Sequence, residues 1–140
     1  MNTMASLAFV FPLTPGKTEE WRYWCEEILG PRRSEYQAFR RRLGLSAQRI
    51  YLQHTPQGDI VIMYLEGDDL QRTFQELRTS QDPFAVWLRQ RAKDLLDGLD
   101  LTRTSLGSLS KLVFNGPSVE EDKGSYHARE VMERLGMISP

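Results

Sequence analysis

With 140 residues, 40% hydrophobic and 26% charged, the chain has room for one ordinary globular domain and a tail, and needs neither disulfide nor metal to bury a core. A formal net charge of −1 excludes any global attraction to nucleic acid or anionic membrane. A single cysteine, Cys25, excludes an intrachain disulfide; with no basic leader and no long apolar run at the N-terminus, a cytoplasmic protein is expected.

The first apolar segment, Ala5 to Phe11, places Leu7, Phe9 and Phe11 on one face and Ala8 and Val10 on the other, the pattern of a strand buried on both sides. After a turn at Pro12 to Lys17, Trp21, Trp24, Cys25, Ile28 and Leu29 recur at helical spacing. Gly30-Pro31 interrupts that stripe, because proline lacks a backbone donor and clashes with the preceding turn. The stripe resumes with Tyr36, Phe39 and Leu43, and Gly44 ends it. Arg49 to His54 alternates as a strand, Thr55-Pro56-Gln57-Gly58 turns, and Asp59 to Glu66 returns, the strongest hairpin signal in the chain. Asp68 or Asp69 then caps a short helix bearing Leu70, Phe74 and Leu77. Asp82-Pro83 opens another helix, with Phe84, Trp87, Leu88, Leu95 and Leu96 on its apolar face and Gly98 as its end. A last strand is expected over Leu109 to Asn115. Gly116-Pro117 then divides a domain, 1–117, from a tail, 118–140, with one amphipathic helix through Tyr126, Val131, Met132 and Leu135, stopped by Gly136.

This order predicts an α+β fold: a ferredoxin-like split βαβ with a four-stranded antiparallel sheet and helices on one face. The first and third strands are apolar on both faces, so the open face of such a sheet would expose a large apolar patch. Pairing of two sheet faces in a homodimer removes that patch.

The chain resembles the dimeric α/β-barrel superfamily and, within it, a bacterial domain family of unknown function. The resemblance rests on Phe9-Val10-Phe11-Pro12, Pro15-Gly16-Lys17, the run from Gly30 to Tyr36, Arg41-Arg42-Leu43-Gly44, Thr55 to Asp59, Tyr64 to Gly67 and Pro83 to Trp87. It covers roughly the first hundred residues and the final strand, and stops before Ser118. It implies a pocket between sheet and helices in each subunit. The superfamily includes cofactor-independent monooxygenases of aromatic polyketides, haem-degrading enzymes, muconolactone isomerases and small stress-response proteins, among which fold alone does not choose.

Arg32 lies on the apolar stripe, four residues from both Ile28 and Tyr36. An inward guanidinium requires a carboxylate, a carbonyl or an anionic ligand. A structural ion pair with Glu35, Glu66 or an aspartate of the short helix is favoured over a ligand clamp. His54 and Asp59 flank the hairpin turn as a cross-strand pair, suited to acid–base work but more commonly inert. Trp24, Tyr36, Tyr64 and Trp87 are candidates for a pocket wall, weighed against plain core packing. Cys25 sits on the buried stripe with no base near it in sequence, which predicts an inert thiol.

No metal or cofactor is expected. Histidine occurs only as His54 and His127, zinc spacing is lacking, and no Gly-rich phosphate loop occurs. Nucleic acid is not an expected partner either: 57–64 lacks the basic opening and aromatic pair of an RNA-recognition strand, and Arg40-Arg41-Arg42 fits a solvated helix face. The leading expectation is therefore a homodimer that binds a small apolar or aromatic molecule, anionic where Arg32 is the clamp. If it catalyses, the chemistry is cofactor-independent oxygenation, isomerisation or cyclisation, with Arg32 holding negative charge and Tyr64 or His54 moving a proton. The alternative is a non-catalytic binding or assembly protein whose pocket its own side chains close.

Overall fold

The computed structural model describes residues 5–97, 99–102, 110–117, 119 and 132–139. Its elements run β1 (Ala5–Pro12), α1 (Thr18–Leu29), α2 (Arg33–Leu43), β2 (Leu45–Thr55), β3 (Gly58–Gly67), α3 (Leu70–Thr79) and α4 (Pro83–Leu95). The three strands form one antiparallel sheet in the order β1-β3-β2. β3 is antiparallel to both neighbours, so β1 and β2 run parallel on either side of it. Parallel strands need a long crossover, which α1 and α2 supply, while the β2–β3 hairpin needs only Pro56-Gln57 between its paired ends.

The local chemistry explains the boundaries. Gly30-Pro31 splits the first helical stripe into two helices: Arg32 N–H reaches Glu27 O at 3.0 Å, Arg33 N–H reaches Gly30 O at 3.1 Å, and α2 starts afresh. Gly44 closes α2 in the left-handed region (φ 72°), its N–H donating to the carbonyls of Arg40 and Arg41; a side chain there would be strained. The strand that follows begins at once, at Leu45 rather than Arg49, and absorbs a bulge between Leu45 and Ala47. Asp69 caps α3 by accepting from Arg72 N–H at 3.1 Å, and Pro83 occupies the first turn of α4. α4 ends at Leu95, and Leu96 then bridges to Leu13; Gly98 lies outside the described residues.

All four helices lie on one face of the sheet. Leu7, Phe9, Leu13, Leu45, Val61 and Leu65 are buried there against Trp21, Trp24, Phe39, Phe74, Phe84 and Leu95. The other face carries Ala8, Val10, Tyr51, Ile60, Ile62 and Tyr64, with Val10 53% exposed. Within one chain, then, β1 is buried on one side only.

The expected fourth strand is absent from the described residues. Residues 110–117 have no strand pairing. Leu112 and Phe114, which alternation would put on one face of such a strand, are 62% and 83% exposed, and Val113 on the other is 89% exposed. Alternation holds a strand in register only where one of its faces is buried, and here neither is. The segment touches the sheet where the Ser110 hydroxyl donates to the Ala8 carbonyl, on β1. Leu109, Tyr126 and Val131 lie outside the described residues. In the tail, Gly136 does stop a helical turn: its N–H meets Glu133 O at 3.0 Å, and Met137 N–H meets Met132 O at 2.9 Å. Among the described residues, no helix is long and apolar enough to cross a membrane.

Candidate functional site

Between the helix layer and the sheet lies a cavity of about 390 Å³, within the range that holds drug-sized ligands. α1 contributes Trp21, Trp24, Cys25 and Ile28; α2 contributes Tyr36 and Phe39; the sheet contributes Phe9, Gln48, Ile50, Met63 and Leu65. Register explains the sheet's share, since Ile50 faces Met63, Gln48 faces Leu65 and Phe9 faces Met63 across the ladders. The exposed members of the lining are Arg22, Glu26 and Leu29 of α1 and Ile50 of β2, so the cavity opens between that helix and that edge strand.

The wall is apolar apart from a few groups. Tyr36 OH donates to Gln48 Oε1 at 2.7 Å. That leaves the Gln48 amide nitrogen facing the soft sulfur of Met63, Nε2 to Sδ 3.8 Å. Trp24 is 7% exposed, and its indole Nε1 is buried without a hydrogen-bond partner among the described residues. Cys25 also lines the cavity; burial, with Glu26 adding to it, pushes its thiol up to about 11, so it stays protonated at neutral pH.

The residues predicted to form a site divide sharply. Trp24 and Tyr36 line the cavity. Arg32 and Trp87 do not: the Arg32 guanidinium stacks 4.0 Å from the Trp87 ring centroid, and its Nε meets Glu27 Oε2 at 2.9 Å. A second nitrogen of Arg32 reaches Glu35 at 3.5 Å, one of the pairs expected from the sequence. Trp87 stands behind Trp24, edge to face at 6.3 Å.

His54 and Asp59 do pair across the hairpin, Nδ1 to Oδ1 2.6 Å. The other oxygen of Asp59 accepts from Thr18 at the start of α1, also at 2.6 Å. These bonds, Thr18's first and His54's second, hold the Asp59 carboxyl below its ordinary range. The cluster ties the hairpin tip to α1, and His54 is 68% exposed at its edge. Tyr64 is on the opposite sheet face, donating to Glu66 Oε2 at 2.8 Å; that bond, followed by burial, raises its phenol pKa. The fold therefore does not bring Arg32, His54 and Tyr64 to one place. Among the described residues, no three His, Cys, Asp or Glu side chains cluster as a metal site would require.

Sequence reasoning passed over Gln48, Ile50, Met63 and Ile28 as cavity residues. Gln48 left a signal. It shares the parity of Ile50 and Leu52, the core face of β2, where an amide is out of place.

Together, fold and site define an α+β domain with a largely apolar cavity roofed by α1 and α2 and floored by the sheet. A scan against protein-family models finds no match, and a search of curated proteins finds none either.

Proposed function

We propose that this chain is a ferredoxin-like subunit of the dimeric α/β-barrel kind, and that its cavity binds a small, largely apolar molecule with a flat or aromatic body. The cavity carries the reading: about 390 Å³ enclosed by Trp21, Trp24, Tyr36, Phe39 and aliphatic side chains. Rigid rings supply such a wall at low entropic cost, and a flat apolar ligand gains most from it. The parallel pair β1 and β2 around β3, with α1 to α4 on one face, supports the subunit assignment. Ala8, Val10, Ile62 and Tyr51 on the open face support pairing with a second copy, since that surface gains most by leaving water. The reading is one of binding. Arg32, His54 and Tyr64 all stand outside the cavity lining, so a catalytic role for any of them would need a second site.

Titration with N-phenyl-1-naphthylamine, a neutral apolar fluorophore, tests the binding. Saturable binding of one dye per chain is expected, with quenching of the Trp21 and Trp24 emission. Cys25→Phe, which fills the cavity from α1, should abolish it. Dye binding that does not saturate, or that Cys25→Phe leaves unchanged, overturns the proposal. Native mass spectrometry of the same sample reads the second half: a dimer is expected, and a monomer at micromolar concentration overturns the pairing.

A further inference from the structure

We infer that Leu112, Val113 and Phe114 form an arm that packs on the open sheet face of a second copy of this chain, so that the arms close the homodimer together with the sheets. This rests on the pairing proposed above and names what completes it.

Three consecutive apolar side chains stand in water here. Leu112, Val113 and Phe114 are each more than half exposed, and no strand pairing holds residues 110–117. A single exposed hydrophobe is ordinary; a contiguous run that includes a phenyl ring is a patch of the kind that marks an interaction site. Ser110 fixes where the arm leaves the domain, because its hydroxyl donates to the Ala8 carbonyl on β1. β1 is an edge strand whose Ala8 and Val10 side chains belong to the open face. The arm therefore starts on the border of that face. The cavity mouth lies along β2, at the other edge of the sheet, so the arm is not placed as a lid on the cavity of its own chain.

The receiving surface has matching chemistry. Register sets Val10, Ile62 and Tyr51 in one cross-strand row of the open face, and Val10 and Tyr51 are exposed. The next row, Ala8, Tyr64 and Arg49, carries polar groups that answer one another. Tyr64 OH donates to Glu66, and the Arg49 guanidinium stands 5.8 Å from the Tyr64 ring centroid. An apolar arm can lie there without stranding a charge. Area gives the reason an arm is needed. Three strands about 4.8 Å apart and roughly eight residues long present a face of about 14 by 27 Å, on the order of 400 Å². Each partner of a standard interface contributes about 800 Å². One phenyl ring brings about 150–250 Å², and Leu112 and Val113 add to it. Two-fold pairing supplies two such arms, one on each copy.

Photocrosslinking reads the contact directly. A chain of natural isotope abundance carrying Phe114→p-benzoyl-Phe is mixed with the ¹⁵N-labelled parent chain and irradiated. Crosslinked peptides should join the light arm to heavy strand peptides bearing Val10, Tyr51 or Ile62. Phe114 is exposed in the single chain, so folding of the domain does not depend on it. In sedimentation equilibrium Phe114→Ala should raise the dimer dissociation constant by about tenfold or more, as loss of a buried ring does. The thermal midpoint, compared at dilutions where both proteins are monomers, should not move. Native mass spectra showing a dimer whose crosslinks stay within the light chain, or reach the helices, overturn the inference and leave the sheet pairing standing. A dissociation constant within about twofold of the parent in Phe114→Ala overturns it in the same way. A parent chain that is monomeric throughout overturns the pairing and this inference with it.

Discussion

Thr73 holds two walls of the cavity in place, and Thr73→Val measures how firmly. The side chain is fully buried on α3, and its hydroxyl donates to Leu43 O at 2.5 Å. Leu43 is the last residue of α2, where backbone carbonyls have no partner further along the helix. Phe39 and Leu43 line the cavity from α2, and Phe74 and Leu77 from α3, so this one bond ties both walls. Valine preserves the shape of threonine but cannot donate. The Leu43 carbonyl then stays buried without its partner, at a cost of about 1–3 kcal/mol. The second contact of the hydroxyl, to Asp69 O at 3.1 Å, matters less, because that carbonyl also accepts from Thr73 N–H. With a urea slope of about 2 kcal/mol per molar, a loss of about 2 kcal/mol moves the unfolding midpoint down by about 1 M. Equilibrium unfolding followed by tryptophan fluorescence reads that shift, and the slope should not change. A midpoint within about 0.2 M of the parent would refute the reasoning, since the carbonyl would then have found another partner at no cost.

Arg32→Ala removes the stack on Trp87 and the pair with Glu27; both are partly solvated, so stability should fall by only about 0.5–1 kcal/mol. The same variant should bind N-phenyl-1-naphthylamine within about twofold of the parent, as no lining group is lost; a tenfold loss would restore Arg32 as a ligand clamp. Asp59 has its folded-state pKa below the ordinary 3.8, so the folded state holds its proton less readily than the unfolded chain does. The stability it confers is therefore present above that ordinary value and disappears as pH falls through the depressed one. Acid titrations of thermal unfolding should show the gap between the parent and Asp59→Asn closing below pH 3.8, and a gap that widens there would contradict the Thr18–Asp59–His54 tie. Cys25, raised to about 11, should react with iodoacetamide at pH 7.5 far more slowly than a free thiol, with its rate climbing only in strong alkali; prompt labelling at pH 7.5 would show the thiol is not desolvated.

The parts of the fold visible in the sequence were those set by local chemistry. The break at Gly30-Pro31, the stop at Gly44, the Thr55–Gly58 turn, the Asp69 cap and the proline-led start of α4 each depend on a backbone constraint within a few residues. What escaped depends on neighbours distant in sequence. The early start of β2 at Leu45 requires pairing with Gly67, twenty-two positions on, and a bulge that no residue type at Ala47 announces. The expectation of a strand at Leu109 to Asn115 came from alternation alone, and 110–117 shows that alternation without a buried face makes no strand. For the site, Trp24 and Tyr36 were legible from the helical stripe that sends them inward. Gln48 and Met63 become cavity residues only through the β2–β3 register, which the sequence does not state.

Arg32, His54 and Tyr64 drew attention for the same reason: each is a chemically capable group near an apolar pattern. The structure supplies each with a partner from its own chain, Glu27 and Glu35 for the first, Asp59 for the second, Glu66 for the third. A charged or titratable side chain costs so much to bury alone that folding itself selects such partners, whatever the protein does. Conspicuous charge is therefore a poor pointer to this site. A neutral donor is cheaper to leave unanswered. Among the described residues, Trp24 Nε1 is the buried side-chain donor left in that state, and Trp24 is one of the residues around the cavity.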